Sequence, residues 1–299
     1  MRSTPCPSPV EDLFDISDQV VKMEPHYFAM GEVSDVYRCQ FVQMDGSKHM
    51  VAVKVIRGLT SDIDSILLFK QDVAKLVARW KRLFHPNLME CYGTCYGFGH
   101  LTGLVLPLCG NGSIVKYLEH RSIVEKLDKL SQVAAAVQYL HSGSFVHADI
   151  RGANILMRDE TPLLMDAGLA PLVSRGDFTV TSFCGRPRWA APEIVSPPED
   201  SSDDILHTFK SDVYALGMTI LEVVTGREPF SHRRYDTAVM MDVIQGLRPN
   251  RPQDPCIADN IWDIIVACWQ DDPQARPTAT LVESWLSAAH MLVKTEASA

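Results

Sequence analysis

Residues 147–156 read His-Ala-Asp-Ile-Arg-Gly-Ala-Asn-Ile-Leu. This stretch places an acid, Asp149, and an amide, Asn154, five residues apart in a predicted loop between two apolar segments. A carboxylate can orient a hydroxyl nucleophile and accept its proton, and a side-chain amide can hold a metal ion against phosphates. Acid and amide residues in loops are usually only turn formers. The chemistry of this pair is therefore judged by what stands elsewhere in the chain.

Two more polar residues stand at the ends or in the middle of apolar runs. Downstream, the run Leu163-Leu-Met165 ends in Asp166, a second carboxylate at a predicted strand end. Upstream, residues 51–56 read Val-Ala-Val-Lys-Val-Ile, with one lysine, Lys54, in an otherwise apolar strand. Its stem is expected to be buried, so its ammonium group needs an anionic partner. Nucleotide phosphates are a natural partner for it.

In this order, the strand lysine, the loop at 147–156 and the later aspartate resemble the signatures of eukaryotic protein kinases. The resemblance runs from about Asp12 to the C-terminal helix and includes Ala191-Pro192-Glu193. Residues 268–278, Cys-Trp-Gln-Asp-Asp-Pro-Gln-Ala-Arg-Pro-Thr, have a spelling typical of tyrosine kinases and of the tyrosine-kinase-like group. In that family Glu193 and Arg276 would form a buried ion pair. Asp212 would brace the catalytic loop from a central helix.

The resemblance implies the α+β, bilobal protein kinase fold, with a small antiparallel β-sheet lobe that carries one main helix and a larger, mainly helical lobe. We expect the small lobe over residues 12–107 and the larger lobe over residues 108–292. Residues 1–11 are predicted to be a flexible N-terminal tail, and residues 293–299 a C-terminal tail.

Hydrophobic periodicity predicts the elements inside these lobes. A β-hairpin is expected across residues 26–56, with its turn at Asp45-Gly46. Helices are expected at residues 61–84, 122–141, 212–225, 261–269 and 278–292. The stretch at 212–225 is nearly all apolar, which predicts a buried central helix.

The resemblance also implies ATP and Mg²⁺ as cofactors, and it assigns roles residue by residue. Asp149 would orient the acceptor hydroxyl, Lys54 would hold phosphates, and Arg151 would neutralise the γ-phosphate. Asn154 and Asp166 would be the Mg²⁺ ligands.

The loop expected to cover the phosphates departs from the family pattern. Ala29, Gly31 and Ser34 stand where three glycines are expected. Glycine allows backbone amides to approach phosphates closely. Alanine and serine are small substitutes, so these three residues remain candidate nucleotide contacts.

The adenine is expected to bind next to the segment that links the two lobes. By resemblance, Val36, Ala52 and Leu156 would stack on the base. Backbone groups near Cys109 would hydrogen bond to it, and Leu106 would guard the back of the pocket. Clefts between lobes are common places for such ligands.

Three further positions depart from the family pattern. Leu76 stands where a glutamate pairs with the strand lysine, and Asp72, one turn earlier, either substitutes for it or is solvated. Ala167 replaces the phenylalanine after the metal-binding aspartate. Arg186 stands where serine/threonine kinases have a threonine that contacts the catalytic aspartate.

The leading interpretation is a protein kinase that transfers the γ-phosphoryl group of ATP to a protein hydroxyl, with serine and threonine favoured. The alternative is a pseudokinase, a binding or scaffolding module with weak or no phosphotransfer. A small-molecule phosphotransferase would share the catalytic loop, but the segments around Glu193 and Arg276 indicate a platform for a protein substrate. A plain interaction domain would leave Lys54 unexplained.

Composition limits the remaining choices. The net charge of −9 and the pI near 5.5 argue against nucleic acid as a partner. Eight cysteines are scattered singly, which favours reduced thiols and an intracellular, cytoplasmic protein. We expect no signal peptide and no membrane span. The expected partners are ATP and a protein substrate; the identity of that substrate and the oligomeric state stay open.

Overall fold

The computed structural model describes residues 14–58, 62–174, 186–197 and 207–298. The tail expected at residues 1–11 lies outside them. The chain forms two compact units. Among the described residues, the first comprises 14–58, 62–84, 89–108 and 172–174, and the second comprises 85–88, 109–171, 186–197 and 207–298.

The described part of the first unit contains a six-stranded antiparallel sheet and one long helix. Its strands are β1 (Val20–Lys22), β2 (Ala29–Met30), β3 (Ser34–Val42), β4 (Lys48–Ile56), β5 (Gly93–Cys95) and β6 (Gly103–Pro107). The strand order is β1-β3-β4-β6-β5, and β2 pairs with β3. The predicted hairpin is confirmed as β3 and β4. Its turn includes Gly46, whose φ of +82° is a conformation that glycine adopts easily.

The strand register sorts the side chains of this sheet onto two faces, because successive residues of a strand point to opposite sides. One face carries a buried apolar cluster formed by Cys39, Val51, Val53, Val55, Cys95 and Val105. Lys54 lies between Val53 and Val55 in β4, so its side chain belongs to the opposite face. There it stands in register with Val36 of β3 and Leu104 of β6.

The helix of the first unit, α1 (Ile63–Trp80), is shorter at both ends than predicted. It begins after Asp62, whose side chain accepts a hydrogen bond of 2.9 Å from the Ser65 backbone N–H. Such caps satisfy donors that a helix start leaves unpaired. Its inward residues recur at helical spacing: Phe69, Val73, Ala74, Leu76 and Val77 are buried.

The described residues further along the chain are mainly helical. The helices are α2 (Ile114–Tyr117), α3 (Ile123–Ser142), α4 (Ala170–Val173), α5 (Pro192–Val195), α6 (Phe209–Thr225), α7 (Asp236–Ile244), α8 (Asp259–Cys268) and α9 (Ala279–Ser298). A two-stranded hairpin, β7 (Ile155–Arg158) with β8 (Thr161–Leu164), lies between α3 and α4.

Almost every residue of α6 is buried, which confirms the predicted central helix. Its start is fixed by a capping box, in which Thr208 and Ser211 bond to each other's backbone N–H groups. It ends at Gly226, in the left-handed conformation.

The predicted α+β protein kinase fold is confirmed by these two units, one built on an antiparallel sheet with a main helix and one mainly helical. In the part of the chain that the structure describes, no helix combines the length and the apolar character that crossing a membrane requires.

Candidate active site

The loop at 147–156 is held in place by one buried carboxylate of α6. Asp212 Oδ1 accepts a hydrogen bond of 2.8 Å from the Ala148 backbone N–H. Its Oδ2 accepts one of 2.8 Å from the His147 backbone N–H and lies 2.9 Å from His141 Nε2. These bonds hold Ala148 at a φ of +69°, which residues with a Cβ rarely adopt. The predicted bracing of the loop by Asp212 is therefore confirmed.

His147 joins this loop to the segment that follows β8. Its Nδ1 accepts from the Asp149 backbone N–H at 3.2 Å, so Nε2 is the protonated nitrogen and donates to the Met165 carbonyl at 2.9 Å. Burial lowers the pKa of His147, against the pull of nearby acids, and favours the neutral ring. The Gly168 backbone N–H donates to the His147 carbonyl at 2.8 Å. The catalytic loop and the Asp166 segment are thus one hydrogen-bonded structure.

The two predicted metal ligands stand at the ends of the β7–β8 hairpin. The Met165 backbone N–H donates to the Asn154 carbonyl at 2.9 Å, which places Asp166 beside the catalytic loop. Asn154 Nδ2 donates to the Asp149 carbonyl at 2.9 Å and to Asp149 Oδ2 at 2.5 Å. Because the amide nitrogen is used there, its oxygen is the end available to a cation. One amide oxygen and one carboxylate fit the oxygen preference of Mg²⁺, which typically takes one or two carboxylates plus phosphates.

The carboxylate of Asp149 is surrounded by cations. Arg186 Nη1 lies 2.7 Å from Oδ2, and Arg151 Nε lies 3.5 Å from Oδ1. Burial raises the pKa of Asp149, but Arg186 first and Arg151 second lower it by more, so the net pKa is below its ordinary value. Asp149 is therefore ionised at neutral pH. In the family pattern a threonine at position 186 contacts this aspartate. The ion pair that arginine forms there was not predicted.

Glu222 of α6 is part of this site and escaped the sequence analysis. Its Oε2 accepts from the Gly152 backbone N–H at 2.9 Å and from Trp189 Nε1 at 3.0 Å. Burial raises the pKa of this carboxyl group. The sequence does contain an indication of this role, because Glu222 is a single acid among apolar residues at 220–224. Lys54 was noticed for the same reason, as one charged residue in an apolar run.

The ion pair expected between Glu193 and Arg276 is confirmed. Arg276 Nη1 and Nη2 donate to the two carboxylate oxygens of Glu193 at 2.6 and 2.9 Å. The guanidinium group is fully buried, and its Nε donates to the Gln270 carbonyl at 2.8 Å. Such bidentate pairs fix geometry as well as charge.

The predicted nucleotide residues of the first unit lie on adjacent strands. Ala29 of β2 stands opposite Val36 of β3, and Val36 stands opposite Lys54 of β4. Ala52 of β4 stands opposite Leu106 of β6. Since they share the register positions of one sheet face, these residues form a continuous apolar surface around one lysine.

The glycine-poor loop before β3 is closed by contacts that the sequence analysis missed. The Gly31 backbone N–H donates to the Ser34 carbonyl at 2.7 Å, and a Cβ at Gly31 would lie 2.9 Å from Ser34 Oγ. Arg57 Nη2 donates to the Gly31 carbonyl at 2.6 Å, and its Nε lies 3.2 Å from Asp35 Oδ1. A Cβ at position 31 would therefore require the hydroxyl of Ser34, a buried residue, to move.

Leu76, at the position of the missing glutamate, is buried on the inner face of α1. Asp72 is not simply solvated, because its side chain is only 12% exposed and its Oδ1 accepts from Lys75 Nζ at 2.9 Å. In the second unit, Leu156 lies on β7 and Cys109 is partly exposed, with burial raising the pKa of its thiol.

Comparison with known proteins assigns the family. The family described as the protein kinase domain matches residues 29–286. The serine/threonine-protein kinase STY46 of Arabidopsis thaliana is 28% identical over 281 residues, which cover 91% of this chain and 45% of that protein. Mitogen-activated protein kinase kinase kinase 2 of the same plant is 30% identical over 220 residues, 70% of this chain and 32% of that protein. The tyrosine-protein kinase SRK3 of Spongilla lacustris is 28% identical over 236 residues, 76% of this chain and 65% of that protein.

The chain belongs to the protein kinase family, and its relatives include both serine/threonine and tyrosine kinases. It spans less than half the length of STY46.

Proposed function

We propose that this protein transfers the γ-phosphoryl group of ATP to a serine or threonine hydroxyl of a protein substrate, with Mg²⁺ as cofactor. The observation that carries this proposal is the single hydrogen-bonded structure that holds Asp149 and Asn154 and leads directly into Asp166. Serine and threonine are favoured because relatives such as STY46 are serine/threonine kinases.

Each polar residue of the site has a chemical task in this proposal. Asp149 is ionised and takes the proton of the acceptor hydroxyl, which must come within about 3 Å of its carboxylate. Asn154 and Asp166 offer oxygens to Mg²⁺, Lys54 pairs with phosphates, and Arg151 balances charge beside Asp149. Bound ATP and Mg²⁺ supply the phosphoryl group and neutralise its oxygens.

The nucleotide contacts at Ala29, Gly31, Ser34, Val36, Ala52, Leu106, Cys109 and Leu156 belong to the same proposal, as do a small lobe at 12–107 and a larger lobe at 108–292. A cytoplasmic location and a protein partner rather than nucleic acid are proposed with it. The net charge of −9 supports the absence of a nucleic acid partner.

The second candidate function is a pseudokinase, a nucleotide-binding or scaffolding module with weak or no phosphotransfer. Two observations favour it. Leu76 stands at the position of the glutamate that would orient Lys54. Arg186 forms an ion pair with Asp149, the carboxylate that an acceptor hydroxyl would have to contact. Neither removes a phosphate-binding or metal-binding group, so phosphotransfer stays the first proposal.

A thermal-shift titration tests the nucleotide and metal site. ATP should raise the melting temperature of the wild type in the presence of Mg²⁺, because a ligand that binds only the folded state stabilises it. Asp166→Asn should weaken the Mg²⁺-dependent part, whereas the exposed Asp263→Asn should match the wild type. No rise at millimolar ATP would contradict nucleotide binding.

Transfer itself is tested with radiolabelled ATP and a protein or peptide acceptor. The wild type should label the acceptor, and Asp149→Asn should abolish the labelling. A wild type that binds ATP with Mg²⁺ but transfers no more label than Asp149→Asn would establish the pseudokinase instead.

A further inference from the structure

Arg186 contacts the carboxylate that, in the proposed function, takes the proton of the acceptor hydroxyl. Its Nη1 lies 2.7 Å from Asp149 Oδ2, which also accepts from Asn154 Nδ2. The side chains of Arg186 and Asp149 are only 21% and 11% exposed, so water screens this ion pair weakly. A hydroxyl that binds Oδ2 of Asp149 must therefore share this oxygen with the guanidinium group or displace it.

The backbone around Arg186 is fixed by its neighbours. Residues 186–189 form a turn in which the Trp189 backbone N–H donates to the Arg186 carbonyl at 3.1 Å. Pro187 follows Arg186 and restricts the backbone at the second position of this turn. Arg188 Nε lies 3.0 Å from Asp236 Oδ1, and its Nη1 donates to the Phe230 carbonyl at 2.9 Å. Arg186 is thus presented to Asp149 from an anchored turn.

The same turn is tied to the catalytic loop itself. Glu222 Oε2 accepts from Trp189 Nε1 and from the Gly152 backbone N–H. One carboxylate oxygen therefore holds the segment of Arg186 and the loop of Asp149 together. The pairing of Arg186 with Asp149 is built into this arrangement of the second unit.

Displacing Arg186 has an energetic consequence. Moving the guanidinium group away from Asp149 gives up a close ion pair that water screens only weakly, and such charge-assisted contacts are strong. A substrate that brings its own anion to Arg186 avoids this penalty. A substrate with a neutral group at that place does not.

We propose that Arg186 makes this kinase selective for acceptor hydroxyls whose neighbouring residue carries an anionic group, either a carboxylate or a phosphate ester. This inference rests on the proposed function. The anion pairs with Arg186, and Asp149 Oδ2 is freed for the hydroxyl.

Geometry limits where the anion stands in the substrate. The guanidinium lies 2.7 Å from Asp149 Oδ2 before the anion draws it away, and the hydroxyl then takes that oxygen at about 3 Å, so the anion meets the guanidinium within about 6 Å of the hydroxyl. An extended chain rises about 3.3 Å per residue. The anionic residue is therefore next to the acceptor or one position further.

Paired peptides test the selectivity. They are identical except for the residues next to the acceptor serine, which are aspartate, phosphoserine that is itself blocked from further transfer, or asparagine. The wild type should show a kcat/KM for the anionic peptides at least about tenfold above the asparagine peptide, the size of a modest binding discrimination. The aspartate and phosphoserine arms separate the two sources of the anion.

Arg186→Thr should bring this ratio close to one and raise kcat for the asparagine peptide, because Asp149 is then unmasked. Arg186→Lys should keep part of the ratio. Arg227→Thr, at an exposed arginine of the same unit, should leave the ratio unchanged. Equal rates of the wild type on all peptides would overturn the inference while leaving the phosphotransfer proposal intact.

A binding measurement keeps the two proposals separable. Peptides with alanine in place of the acceptor serine are titrated by fluorescence anisotropy against the wild type and Arg186→Thr. Tighter binding of the anionic peptide to the wild type only would support the role of Arg186, even if no peptide were phosphorylated and the phosphotransfer proposal failed. Equal affinities would refute that role.

Discussion

At the scale of single residues, Glu222 shows how one buried carboxylate organises the site. It accepts hydrogen bonds from the catalytic loop at Gly152 and from the turn at Trp189. Burial raises its pKa above the usual value of 4.5, because the charged form has lost water. The folded protein therefore holds this proton more tightly than the unfolded chain does.

The first prediction concerns the pH dependence that follows. A raised pKa in the folded state gives a contribution to stability that is complete below pH 4.5 and is lost as the pH rises through the folded value. Glu222→Gln keeps an oxygen for both donors but carries no charge. We expect the free energy of unfolding of the wild type, relative to Glu222→Gln, to fall as the pH rises above 4.5 and through the raised pKa of the folded state.

Urea unfolding at several pH values measures this difference. Glu222→Ala, which leaves both N–H donors without an acceptor, should be less stable than Glu222→Gln by about 1–3 kcal/mol. A wild type whose stability followed that of Glu222→Gln in parallel at all pH values would contradict the shifted pKa.

Single residues also show what sequence can and cannot predict. Asp149, Asn154 and Asp166 could be proposed as site residues because the spacing of the family motifs marks their positions, and the contacts of Asp212 with the loop were predicted in the same way. The contact between Arg57 and Gly31 joins residues that no spacing rule relates, and only the register of β3 and β4 brings them together. The position of Arg186 in the family pattern predicted that it lies near Asp149. The ion pair between them could be seen only in the folded structure.

At the scale of elements, the packing of α6 on α8 depends on one glycine. A Cβ at Gly217 would lie 2.5 Å from the Cβ of Cys268 and 3.4 Å from the Ile265 carbonyl oxygen. Glycine lowers helix propensity by up to about 1 kcal/mol relative to alanine. Its presence in the buried central helix is explained by this close approach.

The second prediction is that Gly217→Ala destabilises the protein although alanine is the better helix former. Overpacking of this kind costs about 1–3 kcal/mol of stability. The gain in helix propensity from glycine to alanine is at most about 1 kcal/mol, so a net loss of stability is expected. Removing the opposing Cβ in Gly217→Ala/Cys268→Gly should recover part of the loss, so the two substitutions should not be additive.

Urea midpoints of the single and double variants provide the measurement. Gly110→Ala is the matched control, because a Cβ there has no atom within 4 Å. An unchanged or raised urea midpoint for Gly217→Ala would show that α6 and α8 make room for the added methyl group without loss of stability.

Sequence patterns predicted long elements better than short ones. The central helix and the β3–β4 hairpin have enough residues to express their periodicity. β1 and β2 have three and two residues, too few to show an alternation of period two. The predicted helix at 61–84 ends earlier, at Trp80, because residues 81–83 continue in turns closed by bonds such as Leu83 N–H to the Trp80 carbonyl.

At the scale of the whole molecule, Glu193 and Arg276 connect parts of the second unit that are distant in sequence. The side chain of Glu193 is 25% exposed, whereas that of Arg276 is fully buried. The guanidinium group also donates to the backbone carbonyls of Gln270 and Lys210. The pair therefore anchors the segment after Arg186–Trp189 to the helical unit.

The third prediction is that Glu193→Ala lowers the free energy of unfolding by about 3–5 kcal/mol, because it leaves a buried cation without its anion. Glu193→Ala/Arg276→Met should be less destabilised than the sum of the single variants, since the double variant buries no unpaired charge. Glu119→Ala, at an exposed acid, should change little. Additive losses in urea unfolding would show that the pair has no coupling.

The family could be assigned from sequence because its signatures extend over most of the chain, and each constrains the others. The fold class followed from that assignment. The proposed substrate preference did not follow from it, because the sequence places an arginine at position 186 without showing which group neutralises it.

The contact of Arg186 with Asp149 also has a consequence for the hydrolysis of ATP in the absence of a substrate. Water is always present beside a bound nucleotide and can act as an acceptor, but it carries no anion to draw Arg186 away. A kinase with this contact would hydrolyse ATP slowly when no protein substrate is bound. Arg186→Thr should therefore raise the basal hydrolysis of ATP in the absence of peptide, measured as release of inorganic phosphate, whereas Arg227→Thr should leave this idle rate unchanged.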